Sequence, residues 1–201
     1  GREFNEIWPE ARRTGITDQF LTVMKTGQMF ETENLSYRDQ RLSAAFRIRG
    51  FPLPGERLAV AFENITERKK AEAELQRVMA AIEQANEVIV ITDCDGNIQY
   101  VNPAFEQATG YSVQEALGQN PRILKSGKQD EAFYQAMWQT ITSGKTWKGR
   151  MVNRKKDGSL YTEDATISPV TDEEGKILNY VAVKRDITRE LKLEEQYLQA
   201  Q

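Results

Sequence analysis

Three polar side chains of complementary chemistry, Asn153, Glu163 and Lys184, fall at positions that an alternating apolar pattern assigns to a buried face. Along Trp147–Asn153, the residues Trp147, Gly149, Met151 and Asn153 share one side, opposite Lys148, Arg150 and Arg154. Tyr161, Glu163, Ala165 and Ile167 share a side of the next segment. Tyr180, Ala182 and Lys184 share one of the third, although Val181 and Val183 make its other side almost as apolar. An amide, a carboxylate and an ammonium therefore point at one interior. Buried unpaired, each costs about 1–3 kcal/mol, and a charge costs more, so these groups need one another or a ligand.

Composition removes other chemistries. The 201 residues contain no histidine, which excludes within them a histidine-ligated haem, a histidine metal site, a Ser/His or Cys/His nucleophile and a phosphoacceptor histidine. The single Cys94 excludes an internal disulfide and a cysteine-built metal centre, and it agrees with a reducing cytoplasm. Glu163, Asp164 and Asp186 could act as general acids, but no nucleophile, metal set or glycine-rich phosphate loop accompanies them, so this region is not expected to be an enzyme. The net charge is −3 and the basic residues are scattered, which argues against nucleic acid as a partner. The hydrophobic fraction of 39% suits a folded core. No apolar run is long enough to span a membrane, and the segment from Gly1 does not read as a signal peptide.

The elements that carry these residues read as an antiparallel meander. Lys156-Asp157-Gly158 turns the first strand into Leu160–Ile167, which is expected to stop at Ser168-Pro169 because proline cannot donate to a ladder. After Asp172-Glu173-Glu174-Gly175 the third strand runs from Ile177 into Arg185-Asp186-Ile187-Thr188. Upstream, Asn102 is placed to cap a short helix with Pro103 in its first turn, and Gly110 ends it. Ser112 caps the next helix. From Asp130 to Thr142 a further helix presents Phe133, Tyr134, Met137, Trp138 and Ile141 at core spacing, with Trp138 also able to face a flat ligand.

Thr66 to Ala85 reads as one helix, free of proline and glycine, with Ala71, Leu75, Val78, Met79 and Ile82 on a stripe. That is about two heptads, which either dimerise or pack on the helix's own sheet. Thr188 to Gln201 repeats the device with Leu191, Leu193, Tyr197 and Leu198.

The run Val88–Thr188 resembles a PAS domain. The likeness rests on the strand Val88–Asp93, the turn Asp95-Gly96-Asn97 and the stretch Ile98–Phe105. It rests equally on Thr109-Gly110-Tyr111, Leu117-Gly118, the Asn153 to Gly158 turn and the closing Asp186-Ile187-Thr188. It implies an α+β fold, a five-stranded antiparallel sheet with helices on one face and a pocket between. An internal repeat precedes it. Met24–Gln28, Tyr37–Gln40, Phe51–Gly55 and Phe62–Arg68 retrace Thr142–Lys145 through Thr188. The first unit thus resembles the back half of such a domain, with strands near Phe30–Tyr37, Leu42–Phe51 and Arg57–Glu63. It is either cut mid-domain or a naturally reduced cap. The expected organisation is a partial unit over 1–66, a connecting signalling helix over 67–85, a complete domain over 86–188 and the start of an exit helix over 189–201.

What the resemblance implies for function is a sensory module of a cytoplasmic signalling protein, such as a two-component system. It would form a homodimer through Leu75, Val78, Met79 and Ile82, with a kinase or cyclase effector elsewhere in the protein. In flavin-binding members, including redox sensors that govern nitrogen fixation, an asparagine after the second helix, a tryptophan on the long helix and an asparagine before the turn line the pocket. Asn120, Trp138 and Asn153 match those places, while Glu163 and Lys184 stand where light-oxygen-voltage members use amides. Pro121 occupies the position of the photoactive cysteine in those members, so no flavin adduct is expected. Asp186 is expected to fix the joint between the last strand and the exit helix. Three readings stand: a flavin (FAD) redox or oxygen sensor, a receptor for another small molecule, or a ligand-free relay in which Glu163 and Lys184 pair and fill the space.

Overall fold

The computed structural model describes residues 15–38, 43–55 and 57–200. The expected beginning of one strand at Leu42, and Asp39-Gln40 of the repeat, lie outside them. Two compact units, Gly1–Arg77 and Val78–Gln201, divide within a long helix.

In the first unit, helix α1 (Ile16–Thr26) buries Ile16, Phe20 and Val23, which recur at the spacing of one helical face. Strands β1 (Phe30–Arg38), β2 (Ser43–Leu53) and β3 (Arg57–Asn64) form an antiparallel sheet in the order β1-β2-β3. Ile16, Phe20 and Ile48 form its core, with Phe30, Phe46, Leu58 and Val60 against it. Over the sheet, the Arg47 guanidinium bridges Glu33 at 2.6 Å and Glu63 at 2.8 Å, and Arg68 reaches Glu33 at 2.8 Å.

Helix α2 (Thr66–Glu83) forms as its composition requires, but none of its residues is buried. Leu75, Val78 and Met79 are exposed, and Ile82 is half-buried.

The second unit is a five-stranded antiparallel sheet in the order β5-β4-β8-β7-β6, built from β4 (Val88–Thr92), β5 (Ile98–Val101), β6 (Trp147–Arg154), β7 (Leu160–Thr171) and β8 (Ile177–Asp186). Between β5 and β6 the chain forms α3 (Pro103–Thr109), α4 (Val113–Ala116), a 3₁₀ turn (Pro121–Leu124) and α5 (Glu131–Thr142). Because β5 and β6 are opposite edges, this connection must cross a sheet face. It crosses the one bearing Val88, Val90, Ala182, Ala165 and Met151, where two cores form. Phe105 and Leu124 anchor one, and Met137 packs with Met151 and Ala165 in the other. Helix α6 (Thr188–Gln199) follows β8 and buries no residue.

Two local expectations are corrected. Strand β7 does not stop at Ser168-Pro169 but continues to Thr171, with Pro169 opposite Tyr180. The β6 pairing ends at Ile167, so Pro169 sits where β7 has lost one neighbour and the missing N–H has no ladder to break. Asn102 occupies the cap position of α3 but makes no capping bond. It is fully buried instead, accepting from the Ile89 N–H at 2.9 Å and donating to the carbonyls of Glu87 at 2.9 Å and Ile82 at 3.3 Å.

Candidate functional site

Strand register brings the three polar residues together. Asn153 opposes Tyr161 across β6 and β7, and Lys184 opposes Ala165 across β7 and β8, so Glu163 lies diagonally between them. Glu163 Oε1 accepts from Asn153 Nδ2 at 2.8 Å and from Lys184 Nζ at 2.8 Å. Relative exposures of 4% for Asn153, 1% for Glu163 and 6% for Lys184 put this network in the interior. An ion pair so deep survives because hydrogen bonds complete it; deleting one partner alone would strand a charge. Beside it, burial and then the Glu163 charge push the Tyr161 phenol upward, holding it protonated.

Asn153 and Lys184 of this network stand in one wall of a cavity of about 500 Å³ between the sheet and the helices. Val90, Thr92, Tyr180, Ala182, Ile167 and Met151 continue the sheet wall. Opposite stand Tyr134, Met137, Trp138 and Ile141 of α5. Helix α5 is aimed there by Asp130, whose carboxylate accepts from the Phe133 N–H at 2.9 Å. The Trp138 ring meets Tyr180 edge to face at 5.9 Å. Asn120 caps the 3₁₀ turn through its oxygen, which accepts from the Arg122 N–H at 3.1 Å. Its amide nitrogen is left towards Gly96. Gly96 has φ +84, and a Cβ there would approach Asn120 Nδ2 to 2.9 Å and Trp138 Cη2 to 3.1 Å, so only glycine lets both side chains close over this turn.

Asn120, Trp138, Asn153 and Lys184 thus line one cavity, and Glu163 lies behind its wall, bound to the last two. Of the five helix residues expected in the core, Met137 and Ile141 are buried, while Phe133, Tyr134 and Trp138 are half-buried, the last two facing the cavity. Sequence reasoning missed Thr92, Gly96, Arg122, Lys125 and the cavity role of Tyr134. The Asp95-Gly96-Asn97 turn was the available signal for Gly96. The others come from separate elements and carry no spacing signature. Cys94 is exposed, in the turn after β4, its thiol donating to the Ile177 and Leu178 carbonyls. No group of acidic or cysteine ligands among the described residues could hold a metal.

The donor set suits a flat heteroaromatic ligand such as a flavin in part. Apolar walls and the Trp138 ring are available, as are the Asn120 amide nitrogen and whatever the Asn153 amide does not give to Glu163, and the cavity falls within the usual range of about 300–1,000 Å³ for small-molecule sites. The Glu163 carboxylate is committed to protein partners.

Both ends of the sheet are tied to flanking helices. Next to the α2 end, besides the Asn102 bonds, the Tyr100 hydroxyl donates to Glu83 at 2.6 Å, and burial followed by that carboxylate pushes its phenol up to about 12. At the α6 end, Asp186 accepts from the Thr188 N–H at 2.9 Å and from its hydroxyl, and Lys155 stands 3.6 Å from the same carboxylate. The Thr188 hydroxyl accepts from the Thr162 N–H at 2.8 Å, so the first turn of α6 is pinned one residue from Glu163.

Comparison with known proteins agrees with this architecture. A nitrogen fixation regulatory protein of Klebsiella oxytoca is 43% identical over 114 residues, which are 57% of this chain and 23% of that protein. Hybrid signal transduction histidine kinase L of Dictyostelium discoideum is 36% identical over 124 residues, 60% of this chain and 7% of that protein. The chain therefore spans less than a quarter of the length of either. The crystal structure of the PAS domain of a protein from Colwellia psychrerythraea superposes with a TM-score of 0.54 at 25% identity, covering 58% of this chain and 98% of that domain. The family model described as the PAS fold matches residues 76–187, where the sheet and the cavity lie, and the chain belongs to that family.

Proposed function

We propose that this region is the sensory module of a larger signalling protein, and that its cavity takes a flavin, FAD, to read redox state or oxygen. The observation that carries the reading is the cavity of about 500 Å³ on whose wall Asn120, Trp138 and Asn153 meet. Similarity to a nitrogen fixation regulatory protein supports the signalling part of this reading. A bound flavin would supply a redox couple whose charge and protonation change with its electron count. The chain's own part is to hold and to report. Asn153 presents an amide to a polar ring edge, Trp138 a face for stacking, and Lys184 a fixed positive charge at the cavity wall.

A charge change beside Lys184 would pull on the Glu163 network, and Glu163 follows Thr162, which holds the first turn of α6. The signal would leave through that helix to an effector in the same protein and reach the sheet through α2. Homodimerisation through Leu75, Val78, Met79 and Ile82 fits the exposure of the first three, and a cytoplasmic setting fits the free Cys94. The first unit, with its three strands and helix, fits the back half of a second such domain.

One observation favours the ligand-free relay instead: Asn153 and Lys184 already satisfy Glu163. Melting the protein with and without excess FAD separates the two. Binding predicts a rise in the wild-type melting temperature that Asn153→Leu reduces. An unmoved melting temperature for a colourless protein would leave the relay.

A further inference from the structure

The Tyr134 hydroxyl is buried and finds no hydrogen-bond partner among the described residues, yet its ring lines the cavity. Leaving such a group unpaired costs free energy comparable to a lost hydrogen bond, so an orphaned hydroxyl beside a cavity calls for an explanation. The ring itself is firmly placed. Phe133 meets it edge to face at 5.5 Å, and the Lys125 ammonium lies 3.8 Å from its centroid. Lys125 is fixed in turn by a bridge to the Asn153 backbone. Gln129 Oε1 is also buried without a partner, but it does not line the cavity.

We propose that Tyr134 is a ligand-recognition residue, whose hydroxyl donates to a carbonyl oxygen or ring nitrogen of the molecule in the cavity. This rests on the sensory reading above and sharpens it, because it demands an acceptor on the ligand opposite α5. Burial and the Glu163 charge raise the phenol, so Tyr134 stays a donor throughout the physiological range. A flavin ring, whose pyrimidine edge carries two carbonyls, meets the requirement; a purely aliphatic ligand does not.

Tyr134→Phe removes the hydroxyl and keeps the ring, its stacking on Phe133 and its contact with Lys125. The experiment compares the melting temperatures of the wild-type and Tyr134→Phe chains without ligand, then titrates each with FAD. The expected result is an unchanged or higher melting temperature for the ligand-free variant, together with about ten-fold weaker FAD binding. Equal FAD affinities would overturn the proposal. So would a ligand-free variant that melts several degrees lower, because the hydroxyl would then serve the protein's own structure. If wild-type protein fails to bind FAD, the flavin reading falls. The ligand-free melting pair still decides whether the hydroxyl is free for another acceptor-bearing ligand.

Discussion

Glu163 accepts two buried hydrogen bonds that solvent is not placed to replace, so removing one partner of its network should be costly. Lys184→Met leaves the carboxylate buried without its countercharge, and it should cost about 3–5 kcal/mol in denaturant unfolding. The paired change Glu163→Leu with Lys184→Met removes both charges and should recover most of that loss. A single variant as stable as wild type would show that the pair contributes little. In the first unit, hydrogen bonds from Arg68 and then Arg47 pull the Glu33 carboxyl from its ordinary 4.5 to about 2. A carboxyl lowered on folding adds stability above its unfolded pKa, and the contribution disappears as pH falls from about 4.5 towards 2. Glu33→Gln should therefore flatten the acid limb of a melting-temperature profile in that window while changing little of its shape near neutrality. At this scale the sequence was informative about which residues converge. Alternation alone put Asn153, Glu163 and Lys184 on one face, but it could not tell a self-satisfied network from a ligand's partners. That depends on diagonal distances fixed by register. Tyr134 shows the same limit: helical spacing marks a core aromatic, and only the packed neighbours reveal a hydroxyl left without a partner.

Helices α2 and α6 were legible from composition and periodicity, and the meander β6–β7–β8 from its turns. Each of these signals is local. Where a local rule met tertiary context, context prevailed: Pro169 stays in β7 because β6 has already ended, and Asn102 forgoes its cap to bind backbone groups of Ile89, Glu87 and, in α2, Ile82. The stripe of α2 offers three exposed apolar side chains, Leu75, Val78 and Met79, beside the half-buried Ile82, and covering the exposed three at up to about 1.5–3 kcal/mol each is enough for a weak dimer before association costs. Leu75→Glu with Val78→Glu should shift a sedimentation profile towards monomer, and an unchanged profile would deny that stripe a role in assembly. At the other end, Asp186→Ala removes the acceptor of the Thr188 N–H and hydroxyl. Hydrogen exchange should then quicken in the first turn of α6 while the sheet amides of β4 and β8 stay protected. Equal protection across α6 would mean that Asp186 does not hold the joint.

For the whole molecule, the family resemblance lay in dispersed turns and strand ends, and the fold follows from them because each marks a place where the chain must reverse or cap. The ligand does not follow in the same way, since it is chosen by a few side chains that the fold tolerates in many forms. The second unit joins a tied entry at Asn102, a cavity walled by a buried ion pair, and a tied exit at Thr188. Such an arrangement suits a device in which the cavity's contents bias the exit helix. The most direct test is the visible absorption spectrum of the 201-residue protein after incubation with FAD and removal of unbound cofactor by gel filtration. Flavin bands that elute with the protein are the predicted result. A protein fraction that absorbs only in the ultraviolet would contradict a flavin in this cavity.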